Sequence, residues 1–120
     1  MIKGIGIDIV EIDRIKNSIK KNTRFINRIL TDKEKEIYTS IKTEVRKLEF
    51  VAGRFAAKEA YAKANGTGIG KLSFKDIEVS NDDQGAPKIF VSEQQDQHVF
   101  VSISHSEAYA VAQVVIESSR

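Results

Sequence analysis

Residues 44–64 read EVRKLEFVAGRFAAKEAYAKA, and the reading of this stretch decides the fold. It holds no Pro, a single Gly and a high share of Ala, Glu, Lys and Arg, which is the composition of a long helix. Just upstream, Thr31-Asp32-Lys33-Glu34 has the spelling of a capping box. A helix is therefore predicted to start after Thr31, pause around Thr39-Ser40 and resume through Ala64. Asn65-Gly66-Thr67-Gly68 is the expected stop, because glycine accepts the left-handed backbone that ends a helix. Turned at about 100° per residue, Leu48, Val51, Ala52, Phe55 and Ala62 share one arc. Glu59 falls near the centre of that arc, away from the polar side expected to carry Arg54.

Outward from this helix, the pattern changes period. Ile2 to Ile12 reads as a strand, rich in Ile and interrupted by Gly4 and Gly6. From about Asp13 to Asn22 the spacing of Ile12, Ile15 and Ile19 is helical. Asn22-Thr23 breaks it, and Phe25, Ile26, Ile29 and Leu30 form a second short stripe. The last third is β. Asp76–Ser80 and Ala86–Val91 flank the turn cluster Asn81-Asp82-Asp83-Gln84-Gly85. His98–Ile103 and Ala108–Ile116 flank Ser104-His105-Ser106-Glu107, a second hairpin. One strand, a helical middle and four strands predict an α+β fold, with a mostly antiparallel sheet carrying its helices on one face.

Composition narrows the function classes. With 120 residues, one domain spanning 1–120 is expected. The chain has no Cys, which excludes disulfides, thiolate-bound zinc, iron–sulfur clusters and a cysteine nucleophile. Asp8, Glu11 and Asp13 interrupt the apolar N-terminus, so a secretory signal is not expected. No run approaches the roughly 20 apolar residues of a membrane span, and a cytoplasmic protein is expected. The net charge of +2 conceals an asymmetry. Between Arg14 and Thr31 stand six bases (Arg14, Lys16, Lys20, Lys21, Arg24, Arg28) and no acid. Between Asp82 and Glu107 five acids (Asp82, Asp83, Glu93, Asp96, Glu107) face Lys88 alone. A basic stretch of this density is either a solvated helix face or a surface for an anionic partner.

Two carboxylates stand where their chemistry does not belong. Asp8 lies within Ile5-Gly6-Ile7-Asp8-Ile9-Val10, although Asp is disfavoured in strands. Unless it marks the strand end and caps a turn, it must meet a partner, a metal or water. Glu59 in the apolar arc needs the same compensation. Lys63 follows one turn later, and an ordinary Glu-to-Lys pair would supply it. That pair accounts for Glu59 but leaves Asp8 unexplained. Two carboxylates on different elements suggest a hard divalent cation held with water and substrate phosphate, and Lys63 beside it would neutralise a phosphate. His105 lies in a turn signal among hydroxyls, as either an exposed turn residue or a phosphate contact. His98 has no assigned role. Gly66-Thr67-Gly68-Ile69-Gly70 lacks the Lys and hydroxyl of a phosphate-binding P-loop and reads as a helix stop.

Taken together, three segments resemble a known family. Gly4-Ile5-Gly6-Ile7-Asp8-Ile9-Val10-Glu11, then Phe55-Ala56-Ala57-Lys58-Glu59-Ala60-Tyr61-Ala62-Lys63-Ala64, and finally Ser102-Ile103-Ser104-His105-Ser106 are similar to the holo-acyl-carrier-protein synthases. These are the small bacterial class of 4′-phosphopantetheinyl transferases, and the likeness covers essentially the whole chain. The resemblance implies Mg²⁺-dependent transfer of phosphopantetheine from coenzyme A to a serine of apo-acyl carrier protein, in fatty acid biosynthesis. The products would be the holo carrier and adenosine 3′,5′-bisphosphate. It implies that Asp8 and Glu59 are metal ligands, and that Glu59 or a metal-held water takes the serine proton. Lys63 would offset charge on the pyrophosphate, His105 and Ser104 would lie by the nucleotide, and Arg54 would meet a phosphate. It further implies a homotrimer with active sites between subunits. The acidic carrier then gives the basic stretch a purpose, with Arg14, Arg24 and Arg28 as docking residues and Lys20 and Lys21 as auxiliaries.

Two other classes compete. A nucleic-acid-binding module would use the same basic stretch, but needs aromatics interleaved for stacking, and only Phe25 is available. A coenzyme A-binding regulator without turnover would not need both acids and Lys63. No nucleic acid and no membrane partner is expected.

Overall fold

The computed structural model describes residues 1–70, 72–92 and 96–118; Glu93 of the acidic stretch lies outside them. Strand β1 spans Ile2–Glu11, followed by helices α1 (Ile12–Lys21), α2 (Phe25–Ile29), α3 (Asp32–Ser40) and α4 (Glu44–Asn65). A short 3-10 turn at Phe74–Asp76 leads into β2 (Ile77–Asn81), β3 (Pro87–Val91), β4 (Gln97–His105) and β5 (Tyr109–Ser118).

The helix signals act as their chemistry requires. Thr31 caps α3 by accepting from the Glu34 amide, and Glu34 reaches back to the Thr31 amide. Thr43 caps α4 in the same sense, accepting from the Arg46 amide at 3.2 Å. Gly66, with φ of +81°, closes α4 in the left-handed region.

The strands form two sheets where one was expected. β1, β5 and β4 make an antiparallel sheet with β5 in the centre, and β2 and β3 make a separate hairpin. The hairpin is not cut off from the core, since β2 turns Ile77 and Val79 into the core shared with α4. The expected helix layer is present. α4 packs on one face of the three-stranded sheet, against Val10, Ala110, Ala112, Val114 and Ile116. Among the described residues no helix covers the opposite face, and Ile5, Ile7, Ile9, Phe100 and Tyr109 stand exposed on it.

The contact between β1 and α4 is close enough to dictate residue type. A Cβ on Gly4 would collide with the Ala64 carbonyl oxygen, and one on Gly6 with that of Ala60. Only glycine lets the strand backbone meet the helix backbone here, and Ala60 and Ala64 complete the fit. The two glycines that interrupt the strand pattern are therefore the residues that bring Asp8 to the last turns of α4.

Candidate functional site

Asp8 sits in mid-strand, paired across the ladder with Ala112, so it does not mark a strand end. Alternation along β1 puts it on the same face as Gly6 and Val10, toward α4, while Ile7 and Ile9 point the other way. Its carboxylate accepts from the Lys63 ammonium at 3.1 Å, and the same ammonium donates to the Ile7 carbonyl at 3.0 Å. Lys63 thus reaches across to β1. Among the described residues it forms no ion pair with Glu59, contrary to the expected helical pair. Its ammonium is instead taken up by the Asp8 carboxylate and the Ile7 carbonyl of the glycine-bared strand.

Glu59 is half-buried on α4. Partial burial pushes its carboxyl above the ordinary range, the negative charge of Asp8 adds to this, and Lys63 and Arg14 oppose it. Two carboxylates that feel each other, one cation between elements and a second on α1 make up the acidic centre. It offers hard oxygen donors from two elements. Among the described residues, no group of three or more His, Asp or Glu side chains gathers as a metal site. Two carboxylates suit a small hard cation that takes its remaining ligands from water and phosphate.

The other expected residues lie elsewhere. His105 is the last residue of β4, paired with Ala110, rather than in the turn. The turn is closed by Ser106, whose hydroxyl accepts from the amides of Ala108 and Tyr109. His105 Nδ1 lies 3.6 Å from Glu49 on α4, and Glu49 also pairs with Arg46 at 3.5 Å. Glu49 and Glu59 are ten residues apart on one helix, about 15 Å along its axis. β5 lies between β1 and β4, so one chain holds the Asp8 centre and the His105 cluster at opposite edges of its sheet. Ser104 is exposed next to His105, and successive strand residues face opposite ways, so the two side chains do not share a face.

Arg54 is not on a polar side. It is 8% exposed, its guanidinium lies 4.1 Å from the Phe50 ring centre, and it reaches Asn81 at 3.5 Å. Its Nε is buried with no hydrogen-bond partner. The helical wheel misplaced it because α4 has no polar side in its middle, being covered by the sheet on one face and by α2, α3 and β2 on the other. Arg14, Lys20, Lys21, Arg24 and Arg28 are all exposed along α1 and α2. Phe25 turns inward, with its ring 6.3 Å from Phe55, which stacks at 5.3 Å on Phe74. It is therefore not a surface ring for a base to stack on.

Two features went unread in the sequence. Glu49, inside ordinary helix composition, gave no signal. Lys58 was visible in the motif beside Glu59 but had no role. It is fully buried and paired at 2.6 Å with Glu34, itself 1% exposed. A lysine flanked by Ala56, Ala57, Ala60 and Tyr61 in a helix enclosed on both sides was the available clue.

Comparison with known proteins adds a further line. The family model described as the 4′-phosphopantetheinyl transferase superfamily matches residues 4–114. A curated holo-[acyl-carrier-protein] synthase of Geobacillus sp. (strain WCH70) is 61% identical over 118 residues, covering 98% of each chain. A counterpart from Oceanobacillus iheyensis is 55% identical over the same length, again covering 98% of each. Among solved structures, a holo-(acyl-carrier-protein) synthase from Bacillus anthracis str. Ames, in complex with CoA (3′,5′-ADP), superposes with a TM-score of 0.91. It is 57% identical and 99% of each chain is covered. The Helicobacter pylori synthase in complex with coenzyme A gives 0.83 at 38% identity, covering 94% of this chain and 99% of that one.

Proposed function

This chain belongs to the 4′-phosphopantetheinyl transferase superfamily as an enzyme of the holo-acyl-carrier-protein synthase kind, and we propose that it moves phosphopantetheine from coenzyme A to a serine of an apo-acyl carrier protein. The products are the holo carrier and adenosine 3′,5′-bisphosphate. The setting is the cytoplasm and fatty acid biosynthesis, and residues 1–120 act as one domain. One observation carries the reading: Asp8, Glu59 and Lys63 converge where Gly4 and Gly6 let β1 touch α4.

In the reaction the serine oxygen attacks the phosphorus that bears the pantetheine arm. The bond from that phosphorus to the bridging oxygen breaks, and the electron pair leaves with the adenosine bisphosphate. Asp8 and Glu59 would hold Mg²⁺, which when bound would supply positive charge against the pyrophosphate. Glu59, or a water held by the metal beside it, takes the serine proton. Lys63, already directed at Asp8, offers a cation against the growing charge on the leaving oxygen. His105 serves the nucleotide part; Ser104, on the other face of β4, and the buried Arg54 could reach the nucleotide and a phosphate only in a site that a second copy completes.

The placement of the His105 cluster across the sheet from Asp8 supports a site completed by a second copy. So does the apolar sheet face of Ile5, Ile7, Ile9, Phe100 and Tyr109, which a monomer leaves in water. A homotrimer with sites between subunits satisfies both. The exposed bases Arg14, Arg24 and Arg28, with Lys20 and Lys21, dock the acidic carrier.

Intact-mass spectrometry of an apo-acyl carrier protein with this protein, coenzyme A and Mg²⁺ tests the whole reading. The expected result is a gain of one phosphopantetheine that EDTA abolishes. No gain on any of several apo carriers overturns it. Salt tests the docking face separately. Raised ionic strength is expected to weaken carrier binding more than coenzyme A binding, and equal effects would remove the docking assignment.

A further inference from the structure

The buried pair of Glu34 and Lys58 joins more elements than an ion pair needs to. Lys58 Nζ donates to Glu34 Oε1 at 2.6 Å and to the Ile29 carbonyl at 2.7 Å. Glu34 Oε1 also accepts from the Thr31 amide at 2.8 Å, and Oε2 from the Val79 amide at 2.7 Å. One carboxylate therefore takes N–H donors from the start of α3, from β2 and from α4. The lysine that completes it closes on the last residue of α2. Arg24 caps α2 and Arg28 lies in its last turn. Lys58 is the immediate neighbour of Glu59 on α4.

A second contact between the same two helices behaves differently. Phe25 of α2 and Phe55 of α4 meet as stacked rings. Stacked apolar surfaces tolerate sliding, because burial is non-directional. The hydrogen bonds of a buried polar group are directional, and a displaced one leaves an unpaired charge. The rings hold α2 against α4, and the Glu34–Lys58 joint selects where along the contact it stops.

We propose that Glu34 and Lys58 are positioning residues for carrier docking, setting the attitude of Arg24 and Arg28 on α2 relative to Glu59 on α4. The inference rests on the proposed carrier docking and transfer, and adds to them a residue pair that touches neither substrate. A buried ion pair can often be exchanged for apolar side chains without loss of stability, so stability alone does not explain its presence. An apolar pair would fill the space but would not hold Ile29, Thr31 and Val79 by directional bonds.

The test uses the full-length protein with Mg²⁺, apo-acyl carrier protein and coenzyme A. Two variants are compared with the unaltered chain: Lys58→Met, and the double variant Glu34→Leu with Lys58→Leu. Melting temperature is read alongside the KM for each substrate. Lys58→Met is expected to raise the carrier KM about tenfold, with the coenzyme A KM held within about twofold. The double variant is expected to regain the melting temperature and keep the raised carrier KM. If its carrier KM returns with its stability, or if both KM values rise together, the positioning role is overturned. Should Lys58→Met fail to fold, the double variant decides alone. An unaltered protein that transfers nothing would instead sink the reading on which the inference stands.

Discussion

Lys58 and Lys63 lie five residues apart on one helix, and each faces a carboxylate from another element. The first pair, with Glu34, is 2.6 Å long and sealed from water. The second, with Asp8, is 3.1 Å long, with Lys63 54% and Asp8 16% exposed. The carboxylate of Glu34 has three N–H donors from the protein and no solvent. Asp8 accepts from Lys63, and its negative charge bears on Glu59. A carboxylate whose lone pairs the fold has filled serves as a joint. One with a like-charged neighbour and partial access to water is arranged for a ligand the fold does not contain. The same residue types, little more than a helix turn apart, thus serve architecture and chemistry.

The largest expected effect breaks the open pair. Asp8→Ala should lower transfer about a thousandfold, on the scale of removing a group that stabilises transition-state charge. The melting temperature should move little, because Lys63 stands largely in water, and a pair with one solvated partner is worth about 0–1 kcal/mol. Steady-state transfer and a thermal melt on one sample check both halves. Near-full transfer by Asp8→Ala in Mg²⁺ would remove the open pair from the chemistry.

The next effect breaks the sealed pair. Lys58→Ala leaves the buried Glu34 carboxylate unpaired and should reduce stability by about 3–5 kcal/mol. A lower denaturant midpoint with an unchanged slope would report it. Lys63→Ala, the matching change in the open pair, should cost under about 1 kcal/mol. Equal losses for the two lysines would erase the distinction between joint and site.

Much of this contrast was legible in the amino-acid order alone. Asp8 announced itself as a charge in an Ile-rich strand, Glu59 as an acid in an apolar arc, and Gly66 as a helix stop. Those signals are local, and period and propensity report local demands well. Glu34 shows the limit. Its capping-box spelling identified the bond to Thr31, but its partner Lys58 lies 24 positions away, with no periodic relation to it. Arg54 shows another. A wheel assigns one apolar side, and only the packing of α2, α3 and β2 over α4 reveals a helix covered on both. The split of the strands into two sheets and the Glu49–His105 contact are likewise tertiary facts, set by which surfaces meet.

The smallest effect tests whether Glu59 is held at a disadvantage. Its carboxyl is raised above the ordinary value, first by partial burial and then by the charge of Asp8. A carboxylate with a raised folded-state value is harder to ionise in the native protein than in the unfolded chain. The resulting penalty is absent below the ordinary carboxylate range, grows as pH rises through the folded value and is complete above it. Glu59→Gln keeps the shape and removes the charge. In EDTA the variant should therefore melt slightly higher than the unaltered protein at neutral pH, and at the same temperature at about pH 4. Because the site is partly open to water, the gain should amount to a degree or two at most. Adding Mg²⁺ at neutral pH should then raise the melting temperature of the unaltered protein and leave that of Glu59→Gln nearly still, since the cation relieves a repulsion the variant lacks. If Glu59→Gln melts lower than the unaltered protein in EDTA at neutral pH, the carboxylate is satisfied by the fold, and Glu59 belongs with Glu34 among the joints.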